Sequence, residues 1–133
     1  MTKVLVIEDD PEVRQTLVYI LEDEGCEVVV ADDGAKGVKR FAADQPDLVI
    51  ADLFMPNQEG YQTIREILAL RPEAKIIAAT AGLNSLSSGG VGTHRDFYLR
   101  MARELGAVDV LLKPFEIDDL VQRVRRCLGR PGT

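Results

Sequence analysis

Five short apolar runs recur along the chain, and each is followed by a stretch whose apolar residues have helical spacing. Runs of this length, bounded by charged or turn-forming residues, predict buried strands. Strict alternation of strand and helix predicts a parallel sheet with helices on both faces. The runs occupy residues 4–7, 26–31, 48–51, 76–79 and 108–112.

The spacing of apolar residues also predicts which side of each helix packs on the sheet. The first helix begins at Pro11 and is ended by Gly25. The fourth is predicted to begin near Asp96, after a stretch from Ala81 to Thr93 that is long for a strand-to-helix connection. The residues predicted to face inward are, helix by helix, Val13, Leu17, Ile20 and Leu21; Ala35, Val38, Phe41 and Ala42; Tyr61, Ile64, Ile67 and Leu68; Phe97, Met101, Ala102 and Leu105; Leu120, Val121, Val124 and Leu128.

The fold class that follows is α/β, a three-layer doubly wound (βα)5 arrangement of the flavodoxin-like type. Right-handed crossovers limit such a sheet to a few strand orders. We predict the order 2-1-3-4-5, because it brings the polar ends of strands 1, 3, 4 and 5 together at one edge.

The composition of the chain argues against several classes of function. The chain has 133 residues, which suits one domain, and its net charge of −6 argues against direct binding to nucleic acid or to an anionic membrane. Two cysteines and one histidine make neither a disulfide framework nor a zinc site. No signal peptide or membrane span is visible, so we expect a cytoplasmic protein.

Polar side chains stand where four of the predicted strands end: Glu8 and Asp9, then Asp52, Thr80 and Lys113. Three converging carboxylates repel one another unless a cation neutralises them, and hard oxygen ligands suit Mg²⁺. Lys113 and the Thr80 hydroxyl are then placed to hold an anion beside the metal. The pattern indicates a carboxylate nucleophile for phosphoryl transfer.

From Lys3 to about Leu128 the chain resembles the receiver (CheY-like) domain of a two-component response regulator, a family in which the 2-1-3-4-5 order is found. The resemblance implies that Asp52 is the phosphoacceptor, phosphorylated by a sensor histidine kinase or a histidine phosphotransfer protein. It also implies that Asp9, Asp52 and the Phe54 carbonyl bind Mg²⁺, or Mn²⁺ in its place, with Glu8 acting through water.

The resemblance further implies which groups bind the phosphoryl oxygens. Thr80, Lys113 and the backbone amides of Phe54 and Ala81 would hold its oxygens, and the Lys113–Pro114 bond would be cis. A downstream protein would bind the face formed by helix 4, strand 5 and helix 5. The domain would assist its own phosphorylation and dephosphorylation without turning over an external substrate, so we do not expect an enzyme.

We expect the receiver domain to occupy residues 1–129, with 130–133 as a tail that is either a natural end or the start of a linker. Two features depart from the family pattern. Val110 stands where many members carry an aromatic residue, and the connection between strand 4 and helix 4 is unusually long. We therefore predict that phosphorylation partly orders the loop from Gly82 to Thr93 over the phosphoryl site and shifts the following helix. The alternative is a passive surface insertion.

Three other functions fit parts of this pattern. A haloacid-dehalogenase-type phosphatase needs a second aspartate two residues after the first, and Phe54 occupies that place. A flavodoxin or nucleotide-binding protein needs a phosphate-cradling loop after the first strand, where the acidic residues 8–10 would repel phosphate. The serious alternative is a receiver-fold interaction module with vestigial phosphorylation, although the acceptor, the acidic pair and the lysine are all present.

Overall fold

The computed structural model describes residues 1–53, 60–80 and 91–129, with 91–95 described by their backbone. Five strands alternate with five helices, as the apolar pattern predicts. The elements are β1 (Lys3–Ile7), α1 (Pro11–Asp23), β2 (Glu27–Ala31), α2 (Gly34–Asp44), β3 (Leu48–Asp52), α3 (Gly60–Leu70), β4 (Ile76–Thr80), α4 (Val91–Leu105), β5 (Asp109–Leu112) and α5 (Ile117–Cys127).

The strands form one parallel sheet in the order β2-β1-β3-β4-β5, which confirms the predicted topology. The register brings the carboxyl ends of the central strands level. Ile7 is paired with Ala51, and Asp52 with Ala79. Residues that follow β1, β3, β4 and β5 therefore meet at one edge of the sheet, where ligands bind in open α/β folds.

Two apolar cores lie on opposite faces of the sheet. One packs α1 and α5 against the sheet, and the other packs α2, α3 and α4 against it. Every residue of β3 and β4 is buried, which explains why these strands read as continuous apolar runs in the sequence. Among the described residues, no helix combines the length and the hydropathy needed to cross a membrane.

The inward face of α2 differs from the prediction, because Ala35 and Ala42 are exposed. The buried residues of α2 are instead Gly34, Gly37 and Phe41. A Cβ added to Gly37 would lie 2.4 Å from Cδ1 of Ile7, so glycine at this position lets the helix approach β1 closely. A count of apolar side chains overlooks such a contact.

Two aromatic residues were also wrongly assigned to the core. Tyr61 at the start of α3 is 44% exposed, and Phe97 on α4 is 60% exposed. Tyr98 is the buried aromatic of α4, and the Phe97 ring packs edge-to-face on it at a centroid distance of 5.3 Å. Thr63 takes an inward position in α3 although it is polar. Phe97 and Tyr98 are adjacent on α4, and tertiary packing buries the second of them.

The fourth helix begins at Val91, five residues before the predicted start near Asp96. Residues 91–93, assigned to the loop from the sequence, are therefore helical. Glycine and threonine near this start are weak helix formers, but propensity is readily overridden by tertiary context. Residues 82–90 of the predicted loop lie outside the described residues, and so does the tail from 130 to 133.

Candidate functional site

Four strand ends supply the candidate site. Glu8 follows β1, Asp52 ends β3, Thr80 ends β4 and Lys113 follows β5. Glu8, Asp52 and Thr80 are buried, and Lys113 is half-buried. The parallel order of the strands places these polar groups at the same edge, so the convergence expected from the sequence is present in the fold.

Glu8, Asp9 and Asp52 form an acidic cluster. One carboxylate oxygen of each lies within 4.8 Å of the corresponding atoms of the other two. Asp9 is half-buried and gives the cluster access to water. Carboxylate oxygens at this spacing, open to solvent on one side, fit a hard divalent cation that retains water ligands, as Mg²⁺ does.

Lys113 joins the cluster to β5. Its Nζ lies 2.5 Å from Oε1 of Glu8 and 3.3 Å from Oδ2 of Asp52. Burial disfavours the charged amine, but the hydrogen bond to Glu8 and the charge of Asp52 outweigh that effect and raise the pKa of Lys113 above its usual value. The ammonium group therefore stays protonated beside the Asp52 carboxylate.

Glu8 is the most deeply buried carboxyl group of the cluster. Burial raises the pKa of Glu8 to about 7, helped by the charge of Asp52 and opposed by the hydrogen bond from Lys113. A buried carboxylate beside another carboxylate is costly to ionise, and a positive charge close to both relieves the repulsion. The electrostatics of the cluster thus favour the binding of a cation.

Asp10 has a different role from its neighbour Asp9. Its Oδ1 accepts a hydrogen bond from the Glu12 amide at 2.9 Å and so caps the N-terminus of α1. The Asp10 amide donates to Oε2 of Glu8 at 3.2 Å, and Nη1 of Arg14 donates to the Glu8 carbonyl at 2.9 Å. These contacts hold the turn after β1 and fix Glu8 in the cluster.

The end of β3 is held by a close contact with α3. The Gly60 amide donates to the Leu53 carbonyl at 2.9 Å, and a Cβ on Gly60 would lie 2.3 Å from the Asp52 carbonyl oxygen. Gly60 was not singled out from the sequence. Its role in positioning Asp52 was missed, and a glycine shortly after a strand-end carboxylate is the signal that could have shown it.

The remaining predicted site residues divide into two groups. Thr80 is buried, and its carbonyl accepts the Lys113 amide at 2.8 Å, which ties the ends of β4 and β5 together. The Lys113–Pro114 bond is cis, as the resemblance implies. Phe54 and Ala81 lie outside the described residues, and the roles expected for their backbone groups stay predictions.

A second buried charged group stands at the opposite end of β5 and was not predicted. Arg123 on α5 donates from Nη1 to both carboxylate oxygens of Asp109, at 3.1 and 2.9 Å, and from Nε to Asp119 at 3.0 Å. The pairing joins the first residue of β5 to α5, away from the acidic cluster. We assign it a structural role, because it neutralises a buried carboxylate at the edge of the core.

The protein-family model of the response regulator receiver domain matches residues 4–125 of this chain. The chain belongs to the family of response regulator receiver domains. Receiver domains are signalling modules of two-component systems, and response regulators act between histidine kinases and downstream effectors.

Relatives and solved structures agree with this assignment. The chain is 32% identical over 128 residues to the response regulator MprA of Mycolicibacterium vanbaalenii, covering 96% of this chain and 51% of that protein. It is also 34% identical over 125 residues to the probable C4-dicarboxylate response regulator DctR of Priestia megaterium. That alignment covers 92% of this chain and 50% of DctR. The chain thus spans about half the length of the curated relatives it matches.

Among solved structures, a receiver domain protein from Clostridium thermocellum superimposes with a TM-score of 0.80 at 28% identity, covering 97% of this chain and 95% of that one. The response regulator TrrA from Thermotoga maritima, in complex with Mg²⁺ and BeF, superimposes with a TM-score of 0.78 at 31% identity. The superposition covers 96% of this chain and 99% of that one. The flavodoxin-like fold predicted from the sequence is confirmed.

Proposed function

We propose that this domain accepts a phosphoryl group on Asp52 from the phosphohistidine of a sensor histidine kinase or a histidine phosphotransfer protein, in the cytoplasm. The observation that carries the proposal is the contact between Lys113 and Asp52, 3.3 Å apart within an acidic cluster. A carboxylate with a fixed cation on one side and a metal-binding geometry on the other is suited to attack phosphorus.

Asp9 and Asp52 would bind Mg²⁺, or Mn²⁺ in its place, together with the Phe54 carbonyl, and Glu8 would act through water. The spacing of the carboxylates and the solvent access at Asp9 support this set. When bound, the cation supplies positive charge that offsets the carboxylates and the entering phosphoryl oxygens.

The chain's own residues carry the transfer. A carboxylate oxygen of Asp52 forms a bond to phosphorus while the phosphorus–nitrogen bond of phosphohistidine breaks, and the histidine nitrogen leaves with the bonding pair and takes up a proton. The product is an acyl phosphate on Asp52. Lys113, held now by Glu8 and Asp52, would exchange the Asp52 contact for a phosphoryl oxygen. The Thr80 hydroxyl and the amides of Phe54 and Ala81 would donate to the other oxygens.

Phosphorylation would change partner binding at the face formed by α4, β5 and α5. Two observations support this choice. Phe97 on α4 exposes most of its ring, and Val108 before β5 is also exposed, so the face offers apolar surface. Thr80 is paired with Leu112 and bonded to the Lys113 amide, so a shift of Thr80 moves the end of β5. In many family members an aromatic residue at the position of Val110 swings inward on phosphorylation. Val110 is fully buried, and its side chain is too short to move in that way.

The experiment is labelling with acetyl phosphate and Mg²⁺, read by intact mass. The wild-type chain should gain the mass of one phosphoryl group, and Asp52→Asn should gain none. Asp47→Asn is the matched control, because Asp47 stands at the other end of β3 and accepts from the Lys3 amide at 2.9 Å. A folded wild-type chain that takes no label would favour the interaction module with vestigial phosphorylation.

A further inference from the structure

The open edge of β2 is the surface that the proposed function leaves unused. β2 stands at the edge of the sheet and has β1 as its strand neighbour. The Glu27 amide donates to the Thr2 carbonyl at 2.8 Å, and the Ala31 carbonyl accepts from the Glu8 amide at 3.0 Å. In a parallel ladder alternate residues bond to the same neighbour. The N–H and C=O groups of Val28 and Val30 therefore point away from β1, towards the open edge.

The α1 side of this edge is apolar with an acidic rim. Val28 and Val30 form its floor, and Tyr19 on α1, 75% exposed, forms its wall. Glu12 and Glu22 outnumber Arg14 along the rim, which is therefore acidic on balance. Exposed valine and tyrosine beside free strand-edge positions offer both apolar contact and backbone hydrogen bonds to an added chain.

The α2 side is cationic, in a chain whose net charge is −6. Its lining contains four basic residues and one acidic residue, Asp32; the basic residues are Arg14, Lys36, Lys39 and Arg40. Most of the lining area between these charges is contributed by aliphatic groups such as Val30 and Ala43. A groove with this lining favours an anionic occupant that also carries apolar groups.

The positive charge on this side is only partly neutralised. Lys36 pairs with Asp32 at 2.9 Å, and Arg40 with Asp44 at 3.5 Å. The Lys36–Asp32 pair is exposed, and exposed pairs contribute little and exchange readily for other partners. Within the described parts of the chain, no carboxylate pairs with Lys39.

We propose that the open edge of β2 binds an extended peptide segment in which acidic and apolar side chains alternate. Successive side chains of an added strand point to opposite faces of the sheet. The acidic ones would then meet Lys39 and Arg40, and the apolar ones would lie on Val28 and Val30. Backbone hydrogen bonds would give affinity, and the alternation would give specificity.

A second copy of this chain is a poorer occupant. Two β2 edges paired antiparallel about a two-fold axis would bring the two α2 helices to the same side of the joined sheet. Lys36, Lys39 and Arg40 would then face their own copies, and like charges across an interface weaken association. The charge pattern thus selects an acidic partner.

The test is an NMR titration of the isotope-labelled domain with a capped eight-residue peptide of alternating Glu and Val. The amide signals of Val28 and Val30 should shift and their hydrogen exchange should slow. Lys39→Glu with Arg40→Glu should weaken binding about tenfold or more, because two attractions become repulsions. The matched control is Arg100→Glu with Arg103→Glu on exposed positions of α4, which should bind as the wild type does.

Two further peptides separate strand addition from other binding. One has the same composition in two blocks, four Glu and then four Val, and the other alternates Lys and Val; both should fail to bind. Shifts at Lys39 and Arg40 without slowed exchange at Val28 and Val30 would mean an anion site and would overturn strand addition. Binding of the lysine peptide, or no binding of the glutamate peptide at millimolar concentration, would also overturn the proposal. None of these outcomes depends on phosphorylation of Asp52.

Discussion

Replacing Gly60 by alanine should disturb the site more than its small size suggests. The added Cβ would lie 2.3 Å from the Asp52 carbonyl oxygen and 2.3 Å from Cα of Leu53. Ordinary contacts of this kind need about 3.5 Å, so the start of α3 and the end of β3 must separate by about 1 Å. Both obstacles are backbone atoms, and no side-chain rotation relieves them.

The cost follows from this geometry. Overpacking a core costs about 1–3 kcal/mol, and an obstacle made of backbone puts Gly60→Ala near the upper end, at about 3 kcal/mol. Gly37→Ala is the matched control, because its Cβ would meet the end of the Ile7 side chain, Cδ1, at 2.4 Å. That side chain can move, and alanine gains about 1 kcal/mol over glycine inside a helix. We expect a net loss of about 1 kcal/mol for the control.

Urea unfolding followed by circular dichroism measures both variants. With an unchanged slope, the midpoint of Gly60→Ala should fall by about 1–2 M, and that of Gly37→Ala by much less. Labelling by acetyl phosphate should be slower in Gly60→Ala, because the strand end that carries Asp52 is displaced. A Gly60→Ala protein within about 0.5 kcal/mol of the wild type would refute the argument, and so would equal losses in the two variants.

Three further predictions test other parts of the structure. Asp9→Ala should abolish Mn²⁺-induced broadening of NMR signals around the cluster, whereas Asp10→Ala should keep it and lose about 1 kcal/mol of stability with the helix cap; equal metal loss in both would contradict the assignment. Arg123→Ala should lower the free energy of unfolding by about 2–3 kcal/mol by removing the bidentate cation from a buried carboxylate, and Arg123→Lys by less; an unchanged stability in Arg123→Ala would disprove the structural role. Burial raises the pKa of Cys127 to about 11, so little thiolate exists at neutral pH. In a Cys26→Ala background, alkylation by iodoacetamide should be far slower than for a free thiol and rise about tenfold per pH unit from 7 to 9; a plateau below pH 9 would contradict this.

The sequence was enough to predict the strands and the meeting of the polar groups. Buried parallel strands are nearly continuous apolar runs, and the order of a doubly wound sheet decides which strand ends share an edge. Glu8, Asp52, Thr80 and Lys113 could be brought together on that basis, although the exact strand order drew on the family resemblance.

What the sequence did not reveal depends on contacts between distant elements. The inward face of α2 is set by the approach of Gly37 to Ile7, and a glycine contributes nothing to an apolar pattern. The choice of Tyr98 over Phe97 as the buried ring depends on the phase of α4, which the apolar pattern of α4 alone does not fix. The pairing of Arg123 with Asp109 joins a helix to a strand fourteen positions away, with no local signal.

The position of the phosphoryl group tests the account most directly. Borohydride reduces an aspartyl phosphate to homoserine, so reduction after treatment with acetyl phosphate and Mg²⁺, followed by peptide mass mapping, identifies the acceptor residue itself. We predict conversion at Asp52 and at no other aspartate, with little conversion in Lys113→Met because the cation beside the acceptor is gone. Conversion at Asp9 or Asp10 with Asp52 intact would contradict the account.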